Sequence, residues 1–115
     1  MACAGFSGGA KGAGSIVPLL ARSGCRIIGI YLTGVNQDYL SEGYARSKPG
    51  ADFLMTPIFV SAGRDDRIAT LEQQYNVAGS IKRTGFQRVR IGTFHGGHEV
   101  NDAQISTALR WFRSL

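Results

Sequence analysis

The stretch CRIIGIYL, at Cys25–Leu32, decides the fold. It is almost continuously apolar and rich in β-branched residues, which is typical of a strand buried on both faces of a parallel sheet. A helix-compatible stretch, Ala10–Arg22, precedes it and stops at Ser23-Gly24, a usual end signal. A second apolar run, PIFVSA at Pro57–Ala62, follows it. This alternation predicts parallel strands that are joined by helices.

The remaining segments extend the same pattern on both sides. The polar connection Thr33–Met55 has room for one short helix near Tyr39–Arg46. Helical spacing predicts a helix over Ile68–Thr84, and the alternation in Arg88–Phe94 predicts a strand near a sheet edge. Asp102 is the expected N-cap of a last helix. With a first strand in Met1–Gly5, we expect one α/β domain over residues 1–115 with about four parallel strands.

Composition excludes several other classes of protein. The 115 residues suit one domain, and 43% hydrophobic with 18% charged residues is too apolar for a disordered chain. No apolar run is long enough to span a membrane, and the first residues do not resemble a signal peptide. Two cysteines, Cys3 and Cys25, cannot form a disulfide framework. We therefore expect a cytoplasmic protein without a membrane partner.

The net charge of +5 raises the question of a nucleic-acid partner. Most basic residues are scattered, and only Lys82, Arg83, Arg88 and Arg90 cluster. No aromatic residue alternates with these four as a base-stacking platform requires. We expect no nucleic-acid partner, and a phosphate-binding module on this cluster is the non-enzymatic alternative.

Three chemically active side chains follow three predicted strands. The first strand leads into GFSGG at Gly5–Gly9, a G-x-S-x-G in which a serine would stand on a sharp strand-to-helix turn between small residues. GRDD at Gly63–Asp66 follows one strand, and HGGH at His95–His98 follows another. Because the carboxyl ends of parallel strands meet at one edge, we expect these groups to lie together. A serine nucleophile needs a histidine base that a carboxylate orients.

At these motifs the chain resembles the α/β-hydrolase family, from its nucleophile elbow onward. GFSGG resembles the elbow, PIFVSAGRDD the acid loop and FHGGH the histidine loop, most nearly of the esterase, dienelactone-hydrolase and polyester-depolymerase type. The resemblance implies Ser7 as nucleophile, Asp66 as acid, His98 as base and the N–H of Gly8 as an oxyanion donor. It implies an acyl-enzyme route for small carboxylic esters, with no metal and no cofactor.

The same resemblance guides the other assignments. The acid usually stands three residues after the loop glycine, which favours Asp66 over Asp65, and a proline common three residues later is Ala69 here. We interpret Asp65 as a solvated or loop-bracing carboxylate and His95 as structural or pocket-lining.

The resemblance also bears on the substrate pocket and on the extent of the domain. Phe6, Tyr39 and Tyr44 are candidate substrate-binding residues, the two tyrosines with simple packing as the alternative. The family's N-terminal strands and second oxyanion donor have no counterpart in the chain. The alternative is therefore an incomplete hydrolase that is inactive alone and needs an N-terminal half, a partner chain or another copy, and the missing part could have carried an export signal.

Overall fold

The computed structural model describes all residues from 1 to 115 and contains one sheet. Its four strands are β1 (Ala2–Phe6), β2 (Gly29–Thr33), β3 (Ile58–Gly63) and β4 (Val89–Phe94). All neighbours pair in parallel, in the order β1-β2-β3-β4, which confirms the predicted α/β class and strand number. The four carboxyl ends therefore share one edge of the sheet.

Helices connect the strands and follow the last one. They are α1 (Gly8–Arg22), α2 (Tyr39–Ser47), α3 (Leu71–Thr84) and α4 (Asp102–Arg113), with a 3-10 turn at Ala51–Met55 before β3. The first helix begins two residues earlier than its sequence pattern predicts, directly after the turn at Ser7. None of the helices is both long enough and apolar enough to cross a bilayer.

Three predicted boundaries are wrong for local reasons. β2 begins at Gly29 and not at Cys25, because its register pairs Gly29 with Ala2, the first residue of β1. The N-cap of α4 is Asn101 and not Asp102: the Asn101 side chain accepts a hydrogen bond from the N–H of Gln104 at 3.0 Å. α3 begins only at Leu71, where a capping box fixes its start.

The two faces of the sheet are covered unequally. On one face α1, α2 and α3 enclose a core of 13 buried residues, to which β2 and β3 contribute alternate side chains such as Ile30 and Val60. On the other face α4 alone packs against the sheet, in a cluster of four buried residues: Tyr31, Phe59, Ala108 and Phe112. Most of the buried core therefore lies on the face that α1, α2 and α3 cover.

Candidate active site

Ser7 occupies the turn between β1 and α1 in a strained backbone conformation. Its φ of 54° and ψ of −113° are rare for a residue with a side chain, and Lys48 is the only other non-glycine with positive φ. The N–H of Ser7 donates to the carbonyl oxygen of Thr33 at 3.0 Å, which ties the turn to β2. The turn therefore presents the serine at the amino end of α1.

The close approach of β1 and α1 explains one glycine of the motif but not the other. A Cβ at Gly5 would lie 2.5 Å from the carbonyl oxygen of Gly9 and 2.6 Å from Cα of Ala10, both fixed backbone atoms. A Cβ at Gly9 would meet nothing within 4 Å. The expectation that both flanking positions must be small therefore holds for Gly5 and is wrong for Gly9.

Asp66 lies just after β3 and is buried, with 5% of its surface exposed. Its Oδ1 accepts hydrogen bonds from the N–H groups of Ile68 at 2.9 Å and Ala69 at 2.8 Å, and its Oδ2 lies 2.9 Å from Nδ1 of His98. Burial raises the pKa of this carboxyl, but the Ala69 N–H, the His98 ring and the Ile68 N–H together bring it below its ordinary value. Asp66 is thus held as a carboxylate.

The residue at position 69 contributes directly to this arrangement. The N–H of Ala69 donates to Oδ1 of Asp66 at 2.8 Å, a hydrogen bond that a proline at this position could not make because it has no backbone N–H. Ala69 therefore supplies one of the two backbone donors to the acid.

His98 lies at the carboxyl edge of the sheet, with 17% of its side chain exposed. An ionised carboxylate only accepts hydrogen bonds, so Nδ1 carries the hydrogen towards Asp66 and Nε2 is left as the basic nitrogen. The ring of Phe6 lies 4.7 Å from the imidazole, centroid to centroid. Gly34 leaves room for it, since a Cβ there would be 2.8 Å from Cε1 of His98. Contacts with Asp66, Phe6 and Gly34 therefore fix the position of the imidazole ring.

Backbone contacts join the acid loop to the histidine loop. The N–H groups of Arg64 and Asp65 donate to the carbonyl oxygens of Phe94 at 3.0 Å and Gly96 at 2.9 Å. Gly63 permits this contact, because its Cβ would lie 2.4 Å from the carbonyl oxygen of Gly97. The two loops therefore form one hydrogen-bonded unit beyond β3 and β4.

The neighbouring pair Asp65 and His95 lies apart from this unit, at the surface. The two side chains are 3.8 Å apart and are 66% and 91% exposed, respectively. Asp65 is solvated, as interpreted from the sequence, whereas the interpretation of His95 as structural or pocket-lining is wrong. Nothing packs against the His95 ring strongly enough to bury it.

Ser7, Asp66 and His98 thus all stand just beyond the carboxyl ends of β1, β3 and β4. No hydrogen bond joins the Ser7 hydroxyl to His98, and the Ser7 side chain does not cap α1. Gly8 is the first residue of α1, so its N–H has no acceptor within the helix. That N–H is available to an anion at Ser7.

A cavity of about 170 Å³ opens beside Ser7. It is lined by Ser7, Gly8, Lys11, Gly34, Asn36, Tyr39 and Ile68. Sequence reasoning did not single out Lys11, Gly34, Asn36 or Ile68 for this site. The position of Lys11, four residues after the serine and hence on the same face of the following helix, was the one usable signal.

The three candidate substrate-binding residues fall in different places. Tyr39 lines the cavity at Ser7, and Phe6 contacts His98. Tyr44 does not reach the cavity: its ring stacks on Phe53 at 6.2 Å and meets Phe86 edge-on at 5.8 Å, between centroids. Tyr44 therefore belongs to the packing around the main core, and its assignment to substrate binding is withdrawn.

Comparison with solved structures identifies the fold. The chain is similar to the crystal structure of acyl-protein thioesterase 2 from Zea mays, an α/β-hydrolase, with a TM-score of 0.72 and 18% sequence identity. The similarity covers 96% of this chain and 54% of that one, so the chain spans about half the length of its structural neighbour. No protein-family model and no curated protein matches the sequence. The chain has part of an α/β-hydrolase fold, as its motifs predict.

Proposed function

We propose that the protein is a serine hydrolase of carboxylic esters. The observation that carries the proposal is the 2.9 Å contact between Asp66 and His98, at the same sheet edge as a serine on a strained strand-to-helix turn. The structural neighbour is by its name a thioesterase, and thioesters and oxygen esters share the acyl carbonyl that such a site attacks. These observations support the reaction class and leave the acyl group open.

In the proposed mechanism Ser7 Oγ attacks the acyl carbonyl while Nε2 of His98 takes the serine proton. Asp66 holds the imidazole in the tautomer that leaves Nε2 basic. The bond from the acyl carbon to the alcohol oxygen breaks, and His98 returns the proton to the leaving alcohol. Water, activated by the same histidine, then hydrolyses the acyl-serine. The N–H of Gly8 stabilises the oxyanion in both halves of the reaction.

The missing hydrogen bond between Ser7 and His98 is compatible with this mechanism. Catalytic hydrogen bonds are often long before substrate binds and tighten in the complex. The Asp66–His98 pair is already formed, so the contact that remains to be made is the one between Ser7 and His98. Substrate binding would then complete the triad.

Turnover of 4-nitrophenyl acetate tests the proposal. The wild-type chain should release 4-nitrophenol, and Ser7→Ala should lower kcat by at least about 10⁴-fold. Asp65→Asn is the matched control for the acid loop, because Asp65 is exposed and outside the triad, and it should retain activity within about twofold. Circular dichroism should show the same helix content in all three proteins. A folded wild-type chain without turnover, or full activity in Ser7→Ala, contradicts the proposal.

A second candidate is a hydrolase domain that acts only when another polypeptide completes it. The edge of β1 has no paired strand, and between β1 and α4 lies a cavity of about 230 Å³ whose lining residues are all apolar. The groove and the free edge of β1 lie side by side. A polypeptide that pairs with β1 would satisfy the backbone groups of this edge and cover the apolar groove.

Light scattering and added polypeptide separate the two candidates. If completion is required, the isolated chain should be inactive or self-associated, and adding an N-terminal half of a hydrolase of this fold should raise ester turnover. A self-associated active form would identify a second copy as the completing chain. A monodisperse monomer with full turnover contradicts the second candidate and supports the first.

A further inference from the structure

We propose that the cavity at Ser7 selects esters that carry a carboxylate, and that Lys11 determines this preference. The proposal rests on the proposed function, since it specifies the substrate of the same site. It concerns a residue that takes no part in the chemistry of the triad. Its basis is the placement of one cation beside the nucleophile.

Lys11 lies beside the nucleophile. It follows Ser7 by about one helical turn on α1, and both residues line the same cavity. Its ammonium nitrogen lies 5.8 Å from the centroid of the Tyr39 ring, which lines the cavity as well. The Tyr39 hydroxyl donates to Oε1 of Gln37 at 2.9 Å. This hydrogen bond orients the ring that the Lys11 ammonium group faces. Lys11 is exposed to solvent, and its ammonium group stands beside Tyr39 at the open side of the cavity.

No protein carboxylate neutralises this charge. No lysine or arginine of the chain forms a salt bridge, Lys11 included, and the two nitrogen–carboxylate contacts in the structure involve His95 and His98. No acidic residue lines the cavity, and the first turn of α1 contains none. A carboxylate on the substrate would be the counter-ion that the site lacks, and Asn36 on the same wall offers amide N–H donors.

The size of the cavity narrows the substrate further. Pockets that enclose drug-sized ligands usually measure about 300–1,000 Å³, whereas this one measures about 170 Å³. It suits a short group with one charged end rather than a long acyl chain. The geometry points to small anionic esters, with the carboxylate in either the alcohol or the acyl part.

Two matched pairs of substrates test the proposal. In the first pair, 4-acetoxybenzoate carries a carboxylate on its alcohol part, and 4-acetoxybenzamide carries a neutral amide at the same position. In the second pair, the 4-nitrophenyl monoesters of adipic acid and of adipamic acid differ in the same way on the acyl part. The measured quantity is the ratio of kcat/KM for the charged to the neutral member, in wild type, Lys11→Gln and Lys11→Arg. Lys82→Gln, on α3, is the control that removes the same charge elsewhere.

We expect Lys11→Gln to lower this ratio about fivefold or more for at least one pair, because the charged ester alone loses its counter-ion. Lys11→Arg and Lys82→Gln should keep the wild-type ratio, and added NaCl should reduce the preference in wild type because salt screens exposed charges. If Lys11→Gln keeps a ratio near the wild-type value for both pairs, Lys11 does not determine the substrate preference. The proposed hydrolase activity is not contradicted by that result. A folded wild-type protein that hydrolyses none of the four esters overturns both proposals.

Discussion

The nucleophile turn and the acid–base loops are held in position by different forces. Asp66 and His98 are fixed by hydrogen bonds: both carboxylate oxygens of Asp66 have partners, and backbone bonds join the two loops. Ser7 has a strained backbone that is held by the close packing of Gly5 against α1 and by a single hydrogen bond, from its N–H to Thr33, and its strand lies at the edge of the sheet. The base is thus oriented by polar contacts and the nucleophile by steric fit.

This difference has a consequence for substitutions. Changes in the acid–base loops should act mainly on the protonation and orientation of His98, and therefore on the rate. Changes at the glycines of the turn should act mainly on the packing of β1 against α1, and therefore on stability. Four predictions test that division.

The largest effect is expected from Asp66→Asn. An amide cannot keep His98 in the tautomer that leaves Nε2 basic, so kcat for 4-nitrophenyl acetate should fall by about 10⁴-fold. Steady-state kinetics of Asp66→Asn and of the exposed control Asp65→Asn measure this loss of kcat. If the two variants lose activity equally, or neither loses any, the Asp66–His98 contact has no catalytic role.

The next effect is on stability, at the two glycines of the turn. Gly5→Ala places a Cβ against fixed backbone atoms and should lower the free energy of unfolding by about 2–3 kcal/mol. Gly9→Ala, where the Cβ meets open space within a helix, should raise it by about 0.5–1 kcal/mol. Urea unfolding measures both. Similar losses for the two variants would show that steric fit at Gly5 does not hold the turn.

A smaller gain is expected from Ser7→Gly. Glycine adopts φ of 54° without the cost that a side chain imposes there, so the variant should be more stable by about 1 kcal/mol although its activity is lost. Ser7→Ala keeps the Cβ and the strain, and it should show no such gain. Thermal unfolding of the two variants side by side decides between strain at Ser7 and an unstrained turn.

The smallest effect is a dependence of stability on pH. The folded-state pKa of Asp66 lies below its unfolded value of about 3.9, so its contribution is complete above about pH 5 and is lost progressively as the pH falls through the folded-state pKa. The difference in unfolding free energy between wild type and Asp66→Asn should therefore narrow as the pH is lowered below about 4. A difference that widens on acidification would mean that this pKa is raised in the folded protein.

Much of the fold was predictable because the strands and helices have strong sequence patterns. The apolar runs located β2 and β3, alternation located β4, and helical spacing located α3 and α4. Boundaries that depend on a neighbouring strand were not predictable. The start of β2 is set by its register with Ala2 of β1, and no local sequence pattern contains that information. At the start of α4 the sequence offers two good caps in succession, Asn101 and Asp102, and only the backbone geometry selects the first.

The candidate site was predictable where a motif carries it. The positions of the motifs after the strands placed the serine turn, the acid loop and the histidine loop at one sheet edge. The resemblance to the α/β-hydrolase family then selected Asp66 and His98 within their loops. The contributions of Gly34 and Ala69 were not predictable, because one acts by leaving room for a ring and the other through a backbone N–H. Tyr44 was misassigned since a tyrosine that packs on Phe53 and one that lines a cavity look the same in sequence.

Labelling with a fluorophosphonate tests the central claim most directly, because the reagent modifies a serine only where a neighbouring base activates it. The account predicts one equivalent of label per folded chain, located at Ser7 by peptide mass mapping. It also predicts little label in His98→Ala, which retains the serine and loses the base. A folded wild-type chain that stays unlabelled, or label at Ser7 that is equally fast in His98→Ala, would contradict a triad of Ser7, His98 and Asp66.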